Sequence, residues 1–172
     1  MPLHAQGKAI EAYVRDHTDA PSDALSDLYM HYAELWLNDD RHKKAVEYYG
    51  KALVVCNALY PDSPCEKRAN CYLELGQLWR LLGDNKQTGS YFQKALQEFK
   101  HIHPNVAHKQ TSTTLFLLGS FLEQIWKLEP ALAYYEEAAQ QLTELLGRAH
   151  SHTQSCLNAC VRVQTKTTQH PK

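Results

Sequence analysis

The sequence repeats itself at an interval of 43 residues, and this internal repeat constrains the fold more than any other feature of the chain. Residues of the same class recur at that interval: a small residue, a large apolar residue, a pair of aromatic residues and a second small residue. These sets are Ala33, Gly76 and Gly119; Trp36, Trp79 and Leu122; Tyr48-Tyr49, Tyr91-Phe92 and Tyr134-Tyr135; Ala52, Ala95 and Ala138. A period of this length predicts stacked, similar units that share one continuous core.

Within each unit the apolar residues have helical spacing. Tyr29, Tyr32, Ala33 and Trp36 lie at i, i+3, i+4 and i+7, which places them on one face of an amphipathic helix. A second stripe of this kind follows at Ala45, Tyr49, Ala52 and Cys56. Small residues allow two helices to approach closely, while the larger ones fill the space beside the contact. Because one helix pair cannot bury its second face alone, we expect the pairs to stack.

Turn signals divide the chain into units. Ser63-Pro64-Cys65-Glu66 is typical of a capping box with proline at the first helical position, and Gly83-Asp84-Asn85 suits a turn between two helices. The sequence predicts one domain over 1–164 with repeats at about 22–60, 64–102 and 105–146. A helix at 3–16 is predicted before the repeats, a capping helix at 151–164 after them, and a disordered tail at 165–172.

These positions resemble the tetratricopeptide repeat, a helix-turn-helix unit of about 34 residues in its common form. The longer unit here is most similar to the repeats of kinesin light chains and of the C-terminal region of SET/MYND-type lysine methyltransferases. The segment Leu146-Gly147-Arg148-Ala149-His150-Ser151 is similar to the Leu-Gly-x-x-His-Pro link of those families, with Ser in place of Pro. The resemblance implies an all-α solenoid of antiparallel helix pairs, with about three repeats and a flanking helix at each end.

The resemblance also implies where a partner would bind, namely a concave groove lined by the first helix of each repeat. The corresponding residues are Asp27, His31, Glu34, Asn38, Asn70, Glu74, Gln77, Arg80, Thr113, Leu117, Ser120 and Gln124. Acidic side chains outnumber basic ones in this set, so a basic or polar peptide or helix fits better than an acidic one. We therefore expect a non-catalytic adaptor or scaffold. The alternative is a structural subunit of a cytosolic or cytoskeletal assembly that docks through its convex face or terminal helices.

Composition argues against several other classes. The 18 Lys and Arg residues nearly balance the 19 Asp and Glu residues and form no cluster of the kind that neutralises nucleic-acid phosphates. No apolar run reaches the roughly 20 residues that a membrane span needs. The five cysteines are odd in number and lack the spacing of a disulfide framework, which predicts reduced thiols and a cytoplasmic location.

Histidine and cysteine are the residues from which a metal or catalytic site would be built. The closely spaced histidines lie in the predicted links between repeats: His101, His103, His108, His150 and His152. No Cys-x-x-Cys or His-Glu-x-x-His accompanies them, and no Gly-rich phosphate loop exists, so we predict no metal, no cofactor and no enzymatic activity. Cys156 and Cys160 are interpreted as small core residues.

Overall fold

The computed structural model describes residues 21–169, together with the single position 12. Every regular element within residues 21–169 is an α-helix, which confirms the predicted all-α class. The helices are α1 (Asp23–Asn38), α2 (His42–Leu59), α3 (Glu66–Leu81), α4 (Asn85–Ile102), α5 (Lys109–Gln124), α6 (Leu128–Leu146) and α7 (Ser151–Gln169). None of these helices has both the length and the apolar character that crossing a bilayer requires.

The first six helices form three antiparallel pairs, because only three residues connect α1 to α2, α3 to α4 and α5 to α6. The second helix of each pair also packs against the first helix of the next, and α7 packs against α6, so the pairs form one stack. The first helices begin at Asp23, Glu66 and Lys109, and the second helices at His42, Asn85 and Leu128. In both series each helix begins 43 residues after its predecessor.

Small residues bring the two helices of a pair into close contact, as their spacing predicts. Gly76 lies directly against the buried Phe92 ring, and a Cβ at Gly76 would overlap that ring. A Cβ at Gly119 would lie 3.0 Å from the Tyr135 ring and 3.2 Å from the Ala131 carbonyl oxygen. Interhelical distance in the second and third pairs is therefore set by the absence of a side chain at these glycines.

The three turns inside the pairs share one backbone conformation. The middle residue of each turn has a positive φ: 55° at Asp40, 80° at Gly83 and 60° at Trp126. Glycine adopts this left-handed conformation without steric cost, and aspartate tolerates it better than a bulky aromatic residue does. The turn between α5 and α6 is therefore the most strained of the three.

The start of α3 differs from its prediction. Ser63-Pro64-Cys65-Glu66 does not form a capping box, because α3 begins at Glu66 with Cys65 as the N-cap residue and no side-chain cap. Instead, the Cys65 backbone N–H donates to Oε1 of Glu98 on α4 at 2.8 Å. A carboxylate from another helix thus supplies the acceptor that the capping box was expected to supply locally.

The end of the chain differs as well. The predicted end of the capping helix at 164 and the disordered tail at 165–172 are wrong for residues 165–169, because α7 continues to Gln169. Lys166 stabilises this extension, since its Nζ donates to Glu123 Oε1 on α5 at 2.8 Å and lies 5.8 Å from the Trp126 ring centroid. The helix predicted at 3–16 and the last three residues of the predicted tail lie outside the described residues.

Candidate binding face of the first helices

The twelve residues predicted to line the groove lie on α1, α3 and α5, and we call the surface they form the polar face. Six of them are exposed: Asp27, His31, Glu34, Asn38, Thr113 and Gln124. The other six are half-buried: Asn70, Glu74, Gln77, Arg80, Leu117 and Ser120. All four residues contributed by α3 belong to the half-buried group, because α3 is the central one of the three first helices.

One end of the polar face is closed by ion pairs between α1 and α3. Lys67 Nζ lies 2.8 Å from Asp27 Oδ1 and 2.9 Å from Asp23 Oδ1. The Tyr60 hydroxyl also donates to Asp23 Oδ2 at 2.7 Å, and this bond, with those from Lys67, lowers the pKa of Asp23. Asp27 is therefore already paired within the chain. The sequence analysis does not include Lys67, although this lysine lies in the first turn of α3 and reaches both Asp23 and Asp27 of α1.

The middle of the polar face is acidic. The amide Nε2 of Gln77 donates to Glu74 Oε2 at 3.2 Å, which holds the carboxylate in place on α3. Burial raises the pKa of Glu74, and the negative charge of Glu34 on α1 raises it further. Across residues 21–169, no lysine, arginine or histidine nitrogen lies within 4.0 Å of the Glu74 carboxylate, and Glu34 has only His31, at 3.8 Å. Glu74 is thus a partly desolvated carboxylate that lies near the like charge of the exposed Glu34 and has no cationic partner within the described residues.

At the α5 end the polar face is less polar than the sequence suggested. Leu117 packs against the core cluster that contains Phe92 and Leu118. Ser120 interacts with the Tyr135 hydroxyl, which itself donates to Glu123 Oε2 at 2.9 Å. The side chains of Leu117 and Ser120 therefore contact residues of their own chain.

A surface cavity of about 270 Å³ lies where α5 meets α7. Thr113 is the one predicted groove residue in its lining, which also includes Phe116, His152 and Cys156. The sequence does not predict this cavity, because it predicts that the last helix caps the stack and does not line the binding face.

No three His, Cys, Asp or Glu side chains between residues 21 and 169 are placed to hold a metal ion. All five cysteines are buried and outside disulfides, and burial raises the pKa of Cys56 and of Cys156 to about 11. The Cys56 and Cys156 thiols are therefore protonated at neutral pH and are poor nucleophiles.

Comparison with known proteins identifies a matching family and solved structures of similar fold. The profile of a family described as "uncharacterized protein conserved in bacteria (DUF2225)" matches residues 25–168. No curated protein matches the chain. Among solved structures, BtubC (BKLC) from P. vanneervenii superposes with a TM-score of 0.75 at 20% identity, over 95% of this chain and 65% of that one.

Two further structures share the fold. A Podosopora anserina protein named as a kinesin light chain with nearly identical TPR-like repeats has a TM-score of 0.80 at 11% identity, over 98% of this chain and 78% of that one. MamA has a TM-score of 0.55 at 13% identity, over 96% of this chain and 92% of that one. These likenesses show the TPR-like helical-repeat fold that the sequence predicts. The resemblance to SET/MYND methyltransferases stays a prediction.

Proposed function

We propose that this chain, which belongs to the family of uncharacterized proteins conserved in bacteria (DUF2225), is a non-catalytic interaction module. It binds a basic or polar segment of a partner protein along the polar face of α1, α3 and α5. The chain spans 65% of the length of BtubC, so the proposal concerns this helical stack alone. A cytoplasmic location belongs to the same proposal and rests on five buried cysteines outside disulfides.

The observation that carries the proposal is the acidic middle of the polar face. Glu74 is half-buried, is held by Gln77, and faces the negative charge of Glu34 on the neighbouring first helix. Such an arrangement costs folding free energy, because a partly desolvated carboxylate beside a like charge is disfavoured. A lysine or arginine side chain of a partner would remove that cost on binding, and complementary charge would also speed association.

The surrounding side chains favour an extended or helical peptide over a small molecule. Asn70 and Asn38 add amide groups on α3 and α1, and these can bond to a peptide backbone as donors and acceptors. Arg80 lies one turn beyond Gln77 on α3 and limits the cationic stretch at that end. The polar face therefore suits a segment with one or two cationic residues near its middle.

The second candidate function is that of a structural subunit, and exposed apolar residues away from the polar face favour it. Val54 on α2 is 69% exposed and Val161 on α7 is 62% exposed. Leu145 and Leu146 at the end of α6 are also exposed. Isolated exposed apolar residues are common on protein surfaces, so this observation is weaker than a half-buried carboxylate without a cationic partner.

An affinity purification with three forms of the chain separates the two functions. The forms are wild type, Glu34→Gln with Glu74→Gln, and Val54→Ser with Val161→Ser, each immobilised at equal density and exposed to lysate of the source cells. We expect a partner with a basic segment to be recovered by wild type and the valine variant, and lost from the glutamine variant. Recovery by the glutamine variant, with loss from the valine variant, would replace the interaction-module proposal with the structural one.

A further inference from the structure

The links that join successive helix pairs are closed by different residues. In the link before α3, Arg68 donates from Nη1 to the Tyr60 carbonyl at 2.6 Å and from Nη2 to the Ser63 carbonyl at 2.7 Å. Its Nε donates to Glu98 Oε1 at 2.9 Å. Arg68 is 8% exposed, so its buried guanidinium connects the link to α3 and α4.

The link before α5 has the same length and joins helices at equivalent positions, but it has no arginine at the position of Arg68. Arg68 is the third residue of α3, and the third residue of α5 is Thr111. Glu98 is the fourteenth residue of α4, and the fourteenth residue of α6 is Gln141. Thr111 is 2% exposed, and its Oγ1 has no hydrogen-bond partner among the described residues. A long cation and its carboxylate are thus replaced by a short hydroxyl and an amide.

A cavity of about 490 Å³ lies at this second link. Its lining includes His103 and Val106, whose positions in the link correspond to those of Tyr60 and Ser63. Thr111 and Gln141 also line it. The cavity therefore lies where the guanidinium of Arg68 lies at the preceding link.

The charge of the surroundings has changed in the same direction. Glu137 and Glu144 of α6 line the cavity, whereas the corresponding tenth and seventeenth residues of α4 are Lys94 and His101. Lys100 also lines the cavity and pairs with Glu137 at 2.7 Å, which leaves one carboxylate in excess. The second link therefore has no buried arginine and carries more negative charge than the first link.

The third link also receives side-chain donors from the helix that follows it. At the start of α7, Thr153 Oγ1 donates to the Gly147 carbonyl at 2.9 Å, and Gln154 Nε2 donates to the Arg148 carbonyl at 2.7 Å. The first and third links therefore receive donors from the helix that follows them. The second link receives a donor from α5 as well, because Ser112 Oγ donates to the His108 carbonyl at 2.9 Å, but the Thr111 hydroxyl at the position of Arg68 has no partner among the described residues.

We propose that the cavity at the second link binds the guanidinium group of an arginine supplied by a ligand. The guanidinium would donate to the link carbonyls at His103 and Val106, as Arg68 donates at the preceding link, while Glu137 and Glu144 supply the negative charge. The planar fork of a guanidinium suits several oxygen acceptors at once better than an ammonium does. None of the twelve polar-face residues lines this cavity, so the site stands independently of the function proposed above.

Nuclear magnetic resonance titration of the full chain tests this site. The probes are the peptide acetyl-Gly-Arg-Gly-amide, free L-arginine, and the same peptide with citrulline, which keeps the shape but carries no charge. We expect the arginine peptide to shift the Thr111 methyl and Gln141 amide signals, with an affinity at least about tenfold above that of the citrulline peptide. Tighter binding of the peptide than of free arginine assigns the guanidinium to a protein side chain, and the reverse assigns it to the free amino acid.

Two matched variants keep the test decisive. Glu144→Gln should weaken arginine binding severalfold, while Glu136→Gln, an exposed change on the same helix outside this cavity, should leave it unchanged. Thr111→Arg with Gln141→Glu should place an arginine–glutamate pair of the chain itself in the cavity and abolish binding. If that variant does not fold, Glu144→Gln still tests the proposal. Equal affinity for the citrulline peptide, no shift with either the arginine peptide or free arginine at millimolar concentration, or equal effects of Glu136→Gln and Glu144→Gln would overturn the proposal.

Discussion

The link before α3 and the link before α5 show how one backbone plan can carry opposite polar chemistry. Arg68 and Glu98 form an internal ion pair at the first, whereas Thr111 and Gln141 leave a cavity with excess negative charge at the second. Both links have the same length, and the helices they join begin at equivalent positions. The helical stack is therefore maintained by its apolar contacts, and the polar residues between pairs are free to serve either stability or binding.

The largest effect expected from this comparison is at the first link. Arg68→Met should lower the free energy of unfolding by about 3–5 kcal/mol, because it leaves Glu98, whose side chain is only 13% exposed, without its cation. Thr111→Val, the equivalent change at the second link, should be close to neutral, since the Thr111 hydroxyl has no partner to lose. Urea unfolding followed by circular dichroism measures both. Equal losses in the two variants would show that the links do not differ as described.

The next effect compares glycines inside the helix pairs. Gly76→Ala should cost about 1–3 kcal/mol, because the new methyl group would overlap the Phe92 ring. Gly50→Ala should instead gain about 0.5–1 kcal/mol, since open space surrounds that position on α2 and alanine favours a helix. Thermal unfolding of both variants checks the signs. Destabilisation of similar size at both positions would mean that helix contact is not set by Gly76.

A smaller effect concerns the turns within the pairs. Gly83→Ala should lose about 1 kcal/mol, because a side chain is then forced into the left-handed region at φ 80°. Trp126→Gly should relieve strain of the same kind, partly offset by loss of the Lys166 contact to the ring. Chemical unfolding of each variant measures these changes. A gain in stability for Gly83→Ala would contradict the shared turn geometry.

The smallest effect compares two half-buried carboxylates, since Glu98 has Arg68 and Glu74 has no cation. The pKa of Glu74 is raised by burial and then by Glu34, so its contribution to stability is complete below the unfolded pKa near 4.5 and is lost as pH rises through the folded pKa. Glu74→Gln should therefore gain about 0.5 kcal/mol at pH 7 and nothing at pH 3. Unfolding curves at both pH values provide the measurement, and a loss at pH 7 would show that a cation does compensate Glu74.

Much of the fold could be predicted from local patterns. Gly83-Asp84-Asn85 was expected to form a turn, and Asp84 does cap α4 by accepting from the Gln87 N–H at 2.9 Å. Spacing of apolar residues locates helices well because each helix must bury one face. The end of α7 could not be predicted this way, since it depends on Lys166 reaching Glu123 on another helix.

The candidate sites were harder to predict, because they depend on contacts between distant residues. The polar face was placed by resemblance, but the proximity of Glu34 to Glu74 and the pairing of Asp27 with Lys67 required the structure. The cavity at the second link was missed because Thr111 looks unremarkable on its own. The role of Thr111 becomes visible only by comparison with Arg68, the residue at the equivalent position of α3. A comparison of charge at equivalent positions of the repeats indicates the cavity.

Titration of a basic peptide against the polar face tests the central claim most directly. The measurement compares a fluorescent peptide bearing two lysines with the same peptide bearing two glutamates, on wild type, on Glu34→Gln with Glu74→Gln, and on Asn70→Ala with Gln77→Ala. We expect the lysine peptide to bind wild type and to lose about tenfold in affinity on the glutamine variant, with a smaller loss on the amide variant. Unchanged affinity across the three forms, or preference for the glutamate peptide, would contradict the assignment of the polar face as a site for cationic partners.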